Sequence, residues 1–271
     1  MSIDTNSTPG SRLRSAYSGG CISVPGVFNS LVARIADAVG FEAAYMSGAA
    51  LTAGRGVPDI GLLTAGEFLD EARFITAATK VPLIADIDTG FGGPLNVERT
   101  VKSFEGAGVA AVQIEDQQSP KRCGHLSGKS LISTDEMAQK LRAASDAKKA
   151  PDFVIVARTD ARGVEGFNAA IDRANAYLQA GADVIFPEAL ENPTEFADFA
   201  RSVDAPLLAN MTEFGRGPLL SLKEFDAMGY AMVLFPVTIF RVAMRAAELA
   251  LREIKEKGSQ VDLIESMQSR A

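Results

Sequence analysis

Residues 106–116 read GAGVAAVQIED: a glycine, a short connection, then an apolar run that ends in two carboxylates. The same unit recurs as AVGFEAAYMSG at 38–48, AGADVIFPEAL at 180–190 and AMGYAMVLFPV at 227–237. Glycine in that place suits a helix C-cap with positive φ. Each unit therefore predicts a helix end, a tight turn and a buried strand. Further out, VPGVF at 24–28, VPLIADID at 81–88, FVIVARTD at 153–160 and APLLANMTE at 205–213 are similar apolar runs, giving eight candidate strands. All are too short for helices and are bounded by turn residues. Between them lie amphipathic stretches, among them 96–108, 134–149, 166–181 and 192–203, several opening with Asn, Thr or Asp as N-caps should.

Eight alternations of buried strand and helix predict an α/β fold, a (β/α)8 TIM barrel in one domain over 1–271. An open doubly wound sheet usually has fewer strands, and the chain has no G-x-G-x-x-G opening. Residues 1–15 read as a loose leader, and 238–271 as a long C-terminal helix with a short tail.

Composition narrows the function. Apolar residues make up 47% and charged residues 23% of 271, which excludes disordered and fibrous classes. A net charge of -7 argues against a nucleic-acid binder. No apolar run reaches the length of a membrane span, and the first residues lack the apolar stretch of a signal peptide. The two cysteines, Cys21 and Cys123, form neither a disulfide framework nor a zinc spacing. These features predict a cytoplasmic enzyme with a small-molecule substrate, contacting neither membrane nor nucleic acid.

The strands end in polar residues: Ser47, Asp86 and Asp88, Glu115 and Asp116, Arg158 and Asp160, Glu188, Asn210 and Glu213. In a barrel of this type the strand C-termini converge on the active-site face. Carboxylates that face one another there repel, and a divalent metal resolves the repulsion. Asp86 and Asp88 share one side of their strand. With Glu115 they form an oxygen-rich set suited to Mg²⁺ or Mn²⁺ rather than zinc.

KRCGH at 121–125 places Lys121, Arg122 and the only histidine, His125, around Cys123. Neighbouring positive charge lowers a thiol pKa, making Cys123 a candidate catalytic acid. Cys21 lies in an apolar run and reads as structural. Arg158 can clamp a carboxylate, or pair structurally with Glu188 or Asp160. Ser47 with the amides of Gly48 and Ala49 can form an anion nest, or a simple glycine turn. Asn210 and Thr212 share a face and can reach a carboxylate, or cap their loop. Glu188 can stand behind a metal.

The set DIDTGFGG, IEDQ, KRCGH, ARTDA, FPEA and NMTEFG resembles the isocitrate lyase and phosphoenolpyruvate mutase superfamily. Within it, KRCGH and Thr212-Glu213-Phe214 resemble the methylisocitrate lyase branch. The likeness runs from about Gly26 to Arg270. It implies cleavage of 2-methylisocitrate, a small tricarboxylate, to pyruvate and succinate. It also implies Mg²⁺ on Asp86 and Asp88, with Glu115 joined through water. Ser47, Gly48 and Ala49 would hold the pyruvate-like part and Arg158 its carboxylate. Cys123, Gly124, Glu188, Asn210, Thr212, Arg241 and Arg270 match further site positions. Such proteins are homo-oligomers, tetramers that exchange a C-terminal helix, and the helix at 238–258 fits that element.

The chemistry needs a base for the hydroxyl, a Lewis acid, and an acid for the carbanion left behind. Mg²⁺ and Cys123 suit the last two, with Lys121 and His125 tuning the thiol. Tyr45 and Asp59 are both candidates for the base. Rival enzyme readings are a lyase for 2,3-dimethylmalate or isocitrate and an oxaloacetate decarboxylase. A reading from another class is an inactive binding protein, against which the intact acidic and KRCGH sets argue.

Overall fold

A computed structural model describes residues 7–122, 124, 128–215 and 217–269. Eight parallel strands form the barrel: β1 Ile22–Val27, β2 Ala44–Met46, β3 Leu83–Asp86, β4 Ala111–Glu115, β5 Val154–Thr159, β6 Val184–Pro187, β7 Leu208–Asn210 and β8 Met232–Phe235. The ladder runs β6-β5-β4-β3-β2-β1-β8-β7. A parallel bridge between Ile185 and Leu207 joins its two ends. The predicted barrel is therefore the observed one, strand for strand.

Among the described residues ten α-helices accompany the strands: α1 Pro9–Ser18, α2 Ser30–Val39, α3 Gly48–Gly54, α4 Ala65–Ala78, α5 Pro94–Gly106, α6 Thr134–Ala147, α7 Phe167–Gln179, α8 Pro193–Ser202, α9 Leu222–Met228 and α10 Thr238–Lys257. The expected glycine turns are present: Gly40, Gly108, Gly181 and Gly229 all have positive φ. Gly40 and Gly229 are left-handed C-caps that return their amides to the helix behind them. Starts differ slightly from the sequence reading. The α6 cap is Ser133, accepting from the Glu136 amide, and α5 begins at Pro94, whose fixed φ suits a first helical position.

Strand alternation splits the core in two. One set, including Val24, Tyr45, Ile84, Ala111, Val154, Val156, Val184, Phe186, Leu208, Met232 and Leu234, fills the barrel interior. The other, including Met46, Ala85, Val112, Ile155 and Ile185, lies between strands and helices. The inward parity continues to the strand ends: Val156 is followed by Arg158, Ile84 by Asp86, Phe186 by Glu188 and Leu208 by Asn210. The register that packs the core also aims the polar residues at the barrel axis.

The loose leader expected over 1–15 is corrected from residue 9 onward, where α1 is an ordered helix. Thr8 caps it by accepting from the Ser11 amide, and Arg14 pairs with Asp183 at 2.7 Å. Leu13 and Tyr17 are buried with the barrel interior. Burying one such leucine is worth about 1.5–3 kcal/mol, enough to order a short helix that a polar composition conceals. Cys21 packs against the outer core, and burial pushes its thiol up to about 11, in line with a structural role.

At the other end of the chain, α10 touches the barrel at its first turn, where Phe240 meets Phe28 edge-on at 5.2 Å. No residue of α10 is buried, and Ile239, Val242, Leu249, Leu251 and Ile254 are exposed.

Candidate active site

A cavity opens at the C-terminal ends of the strands. Tyr45, Ser47, Ala49, Asp59, Asp86, Lys121, Gly124, Arg158, Glu188, Asn210 and Thr212 all line it. These residues span much of the chain, and each was a candidate from sequence. Phe186, Leu234, Pro236 and Val237 complete the wall with apolar surface. The sequence reading missed these four. Inward parity was the available signal for the first three, since each stands in step with a core residue on its strand.

Asp86 sits at the end of β3 and accepts from two amides, Gly48 at 3.1 Å and Asp88 at 3.0 Å. The Gly48 amide is therefore committed to Asp86. Ser47 accepts from the Ala50 amide as the cap of α3. The proposed nest at 47–49 is thus partly occupied by the protein's own carboxylate. Asp88 adopts a left-handed backbone with φ 47° and pairs with Lys121 at 3.0 Å. The same ammonium reaches Asp59 at 2.5 Å. Burial would lower the Lys121 pKa, but Glu115, Asp88 and Asp59 outweigh it and hold the ammonium well above its ordinary value. Burial pushes the Asp88 carboxyl up to about 6, against the pull of Lys121.

Glu115 is fully enclosed at the end of β4. Arg158 Nη1 pairs with Glu115 Oε2 at 3.1 Å, while Glu115 Oε1 has no hydrogen-bond partner among the described residues. Burial raises the Glu115 pKa well above its ordinary value, opposed by Arg158. Orphaned, enclosed carboxylate oxygens are costly without a cation. Among the described residues no three acidic, His or Cys side chains close into a full coordination shell. A sparse oxygen set of this kind fits Mg²⁺, which keeps several waters and takes one or two carboxylates.

Arg158 faces three carboxylates: Asp160 through Nε at 3.0 Å, Glu115 at 3.1 Å and Glu188 at 3.6 Å. The structural pairing read for Arg158 is present, and the guanidinium also lines the cavity. Asn210 donates to Glu188 at 3.2 and 3.4 Å. Glu188 accordingly organises Arg158 and Asn210 here.

Tyr45 donates its hydroxyl to Gln113 Oε1 at 2.5 Å. Burial, reinforced by Asp86, pushes its pKa well above the ordinary value, which makes it a donor rather than a base. Asp59, the other candidate, also lines the cavity and pairs with Lys121.

Arg241 does not line the cavity. Its side chain, 42% exposed, donates to the Glu213 carbonyl at 2.9 Å and stacks over Phe214. Cys123, His125 and Arg270, all expected in the site, lie outside the described residues. Gly124, which follows Cys123, packs so closely on the site that a Cβ there would stand 2.2 Å from Arg158 Nη2.

Two enclosed supports were missed by the sequence reading, and Asp116, read only as a strand-end carboxylate, is a third. Asp116 accepts from Thr159, Tyr177 and the Asp160 amide, bracing the end of β5. Lys140 donates to the Thr89 carbonyl at 3.1 Å, beneath the loop that follows Asp88. Lys129 joins Asp160 to Gly124. Each is a long-range contact with no local pattern to announce it.

Comparison with known proteins matches the chain and its fold. A family model described as phosphoenolpyruvate phosphomutase covers residues 13–255. A curated relative from Aeropyrum pernix, named 2-methylisocitrate lyase, is 54% identical over 92% of this chain and 80% of its own length. The solved structure of a 2,3-dimethylmalate lyase superposes with a TM-score of 0.91 at 36% identity, covering 97% of this chain and 89% of that one. A phosphonopyruvate hydrolase solved with oxalate and Mg²⁺ gives 0.89 at 31% identity, over 97% and 93%.

Proposed function

The chain belongs to the phosphoenolpyruvate phosphomutase family, and within it we propose that it is a carbon–carbon lyase cleaving 2-methylisocitrate to pyruvate and succinate. The observation that carries this reading is the meeting of carboxylates and cations at one cavity. Asp86, Lys121 and Arg158 line it, and Lys121 and Arg158 pair with the enclosed carboxylates of Asp88 and Glu115 at 3.0 and 3.1 Å. Identity of 54% to a curated 2-methylisocitrate lyase supports the same reaction.

Asp86 and Asp88, with Glu115 behind them, would hold Mg²⁺, or Mn²⁺ in its place. When bound, the metal supplies Lewis acidity toward the oxo-acid half. Arg158 binds the carboxylate of that half, its orientation fixed by Asp160. Asn210 and Thr212 line the same cavity and can reach a second carboxylate of the substrate. Asp59, held by Lys121, takes the hydroxyl proton as the C–C bond breaks. Cys123 returns a proton to the carbanion, with Lys121, Arg122 and His125 setting its acidity. The apolar wall of Phe186, Leu234, Pro236 and Val237 excludes water from that carbanion.

The exposed apolar face of α10 supports a homo-oligomer, a tetramer with this helix exchanged between copies. Among the described residues no helix is long and apolar enough to cross a membrane, and we assign the enzyme to propionate breakdown in the cytoplasm. The test is pyruvate release from 2-methylisocitrate, with isocitrate and 2,3-dimethylmalate alongside, in Mg²⁺ and in EDTA. Metal-dependent release that favours 2-methylisocitrate is expected. Preference for 2,3-dimethylmalate would move the chain to the sibling activity named for its structural neighbour.

A further inference from the structure

Lys129 is buried, and the cleavage chemistry above does not use it. Its ammonium donates to Asp160 Oδ1 at 2.7 Å and to the Gly124 carbonyl. Its side chain is 5% exposed, and that of Asp160 is fully enclosed. Both partners belong to the architecture around Arg158. Asp160 accepts Arg158 Nε at 3.0 Å and Nη2 at 3.1 Å. The Gly124 backbone abuts the same guanidinium, and a Cβ there would also stand 2.8 Å from Glu188. One cation therefore ties the end of β5 to the segment that follows Lys121.

Charge gives the contact a second consequence. Glu115, Asp160 and Glu188 all face Arg158, three carboxylates against one guanidinium. Left alone, that surplus would weaken the attraction of Arg158 for an incoming anion. Lys129 shares Asp160 Oδ1 with Arg158 Nη2 and offsets one of those charges. In an enclosed site of low effective dielectric, such an offset is large compared with the same pair in water.

We propose that Lys129 is a positioning residue for the cleavage reaction. It seats Gly124 against Arg158 and preserves the positive charge that Arg158 presents to a substrate carboxylate. Lys129 touches no reacting group and acts through Asp160 and Gly124. The inference rests on the lyase reading, and its test is built to fail separately from it.

The comparison uses the full-length protein, Lys129→Met and Lys129→Arg, with 2-methylisocitrate as substrate and hydrogen exchange of a peptide covering 117–132 as a readout independent of turnover. Lys129→Met is expected to lose at least about 10-fold in kcat, with its melting temperature within a few degrees of wild type. Exchange in the 117–132 peptide should quicken while other peptides are unchanged. Lys129→Arg keeps the charge and should recover kcat to within about threefold of wild type. Wild-type kcat in Lys129→Met, or unchanged exchange at 117–132, would overturn the proposal. A purely structural lysine would lower the melting temperature and quicken exchange throughout the barrel, and that result also overturns it. Should Lys129→Met not fold, Lys129→Gln replaces it with the same expectations. If the wild-type chain itself releases no pyruvate, the lyase reading falls, and the exchange comparison still decides whether Lys129 seats the segment.

Discussion

Arg158 and Asp160 stand two residues apart at the end of β5 and meet through two hydrogen bonds, of 3.0 and 3.1 Å. The strand thus presents its guanidinium, proposed to bind the substrate carboxylate, together with the carboxylate that orients it. The planar fork is held on one edge by Asp160, while Nη1 pairs with Glu115 at 3.1 Å. Arg158→Lys keeps the charge and loses the fork. Charged hydrogen bonds are worth about 1.5–3 kcal/mol, so KM for 2-methylisocitrate should rise on the order of 10–100-fold. Steady-state kinetics on the folded variant checks this, and an unchanged KM would place the substrate carboxylate elsewhere.

Cys123 carries the proton to the carbanion in the proposed reaction. Cys123→Ser should leave Mg²⁺ binding intact and lower turnover at least about 100-fold, the low end for general acid catalysis. Calorimetric titration with Mg²⁺ and a pyruvate assay measure the two halves. Near-normal turnover would remove Cys123 from the mechanism.

Gly26 lies where β1 and the residues after β8 approach most closely, and a Cβ there would stand 1.9 Å from the Pro236 carbonyl oxygen. The obstacle is backbone, which cannot rotate away. Gly26→Ala should cost about 3 kcal/mol, the upper end for overpacking, or roughly 6–12 °C in melting temperature for a domain of this size. Thermal denaturation of the variant reads this directly.

The Glu165 carboxylate accepts two hydrogen bonds from Arg173, which hold its pKa below the ordinary value. An acid whose folded-state pKa is depressed adds stability above its unfolded pKa. That stability is lost as pH falls through the folded value. Glu165→Gln should therefore melt below wild type at pH 7, and the gap should close as both are titrated toward pH 3. A gap that persisted in acid would mean that the carboxylate charge is not what the pair contributes.

Val242 and Leu249 are 64% and 49% exposed on α10. If a second copy covers them, Val242→Asp with Leu249→Asp should shift the protein to a smaller species in light scattering after size exclusion. The barrel signal in circular dichroism should stay the same. An unchanged mass would show that α10 does not hold the copies together.

The barrel was legible because period-two alternation and positive-φ glycines are local signals, and eight repeats of them leave few folds to choose from. Asp86, Arg158, Glu188 and Asn210 were legible for the same reason, each one step beyond an inward core residue. Other features depended on partners far along the chain. The Gly48 amide looked available until the fold brought Asp86 to it, 38 residues on. Lys129 carries no motif, because its meaning lies in Asp160 and in a carbonyl of the backbone. The α1 helix was hidden differently. Gly10, Leu13 and Tyr17 do form a helical stripe, but a polar surround masks three positions that the barrel floor needs. Arg241 matched by motif and stands outside the cavity, because Glu213 and Phe214 hold its side chain.

The same α1 helix draws its fixings from far along the chain. Thr8 and Arg14 bond to Asp152 and its carbonyl, and Arg14 also reaches Asp183, at separations of 144, 138 and 169 residues. Without those partners Leu13 and Tyr17 would lie in water, so the seating of α1 depends on the ends of β5 and β6 being in place, and the helix adds contacts of high sequence separation to the folding of the barrel.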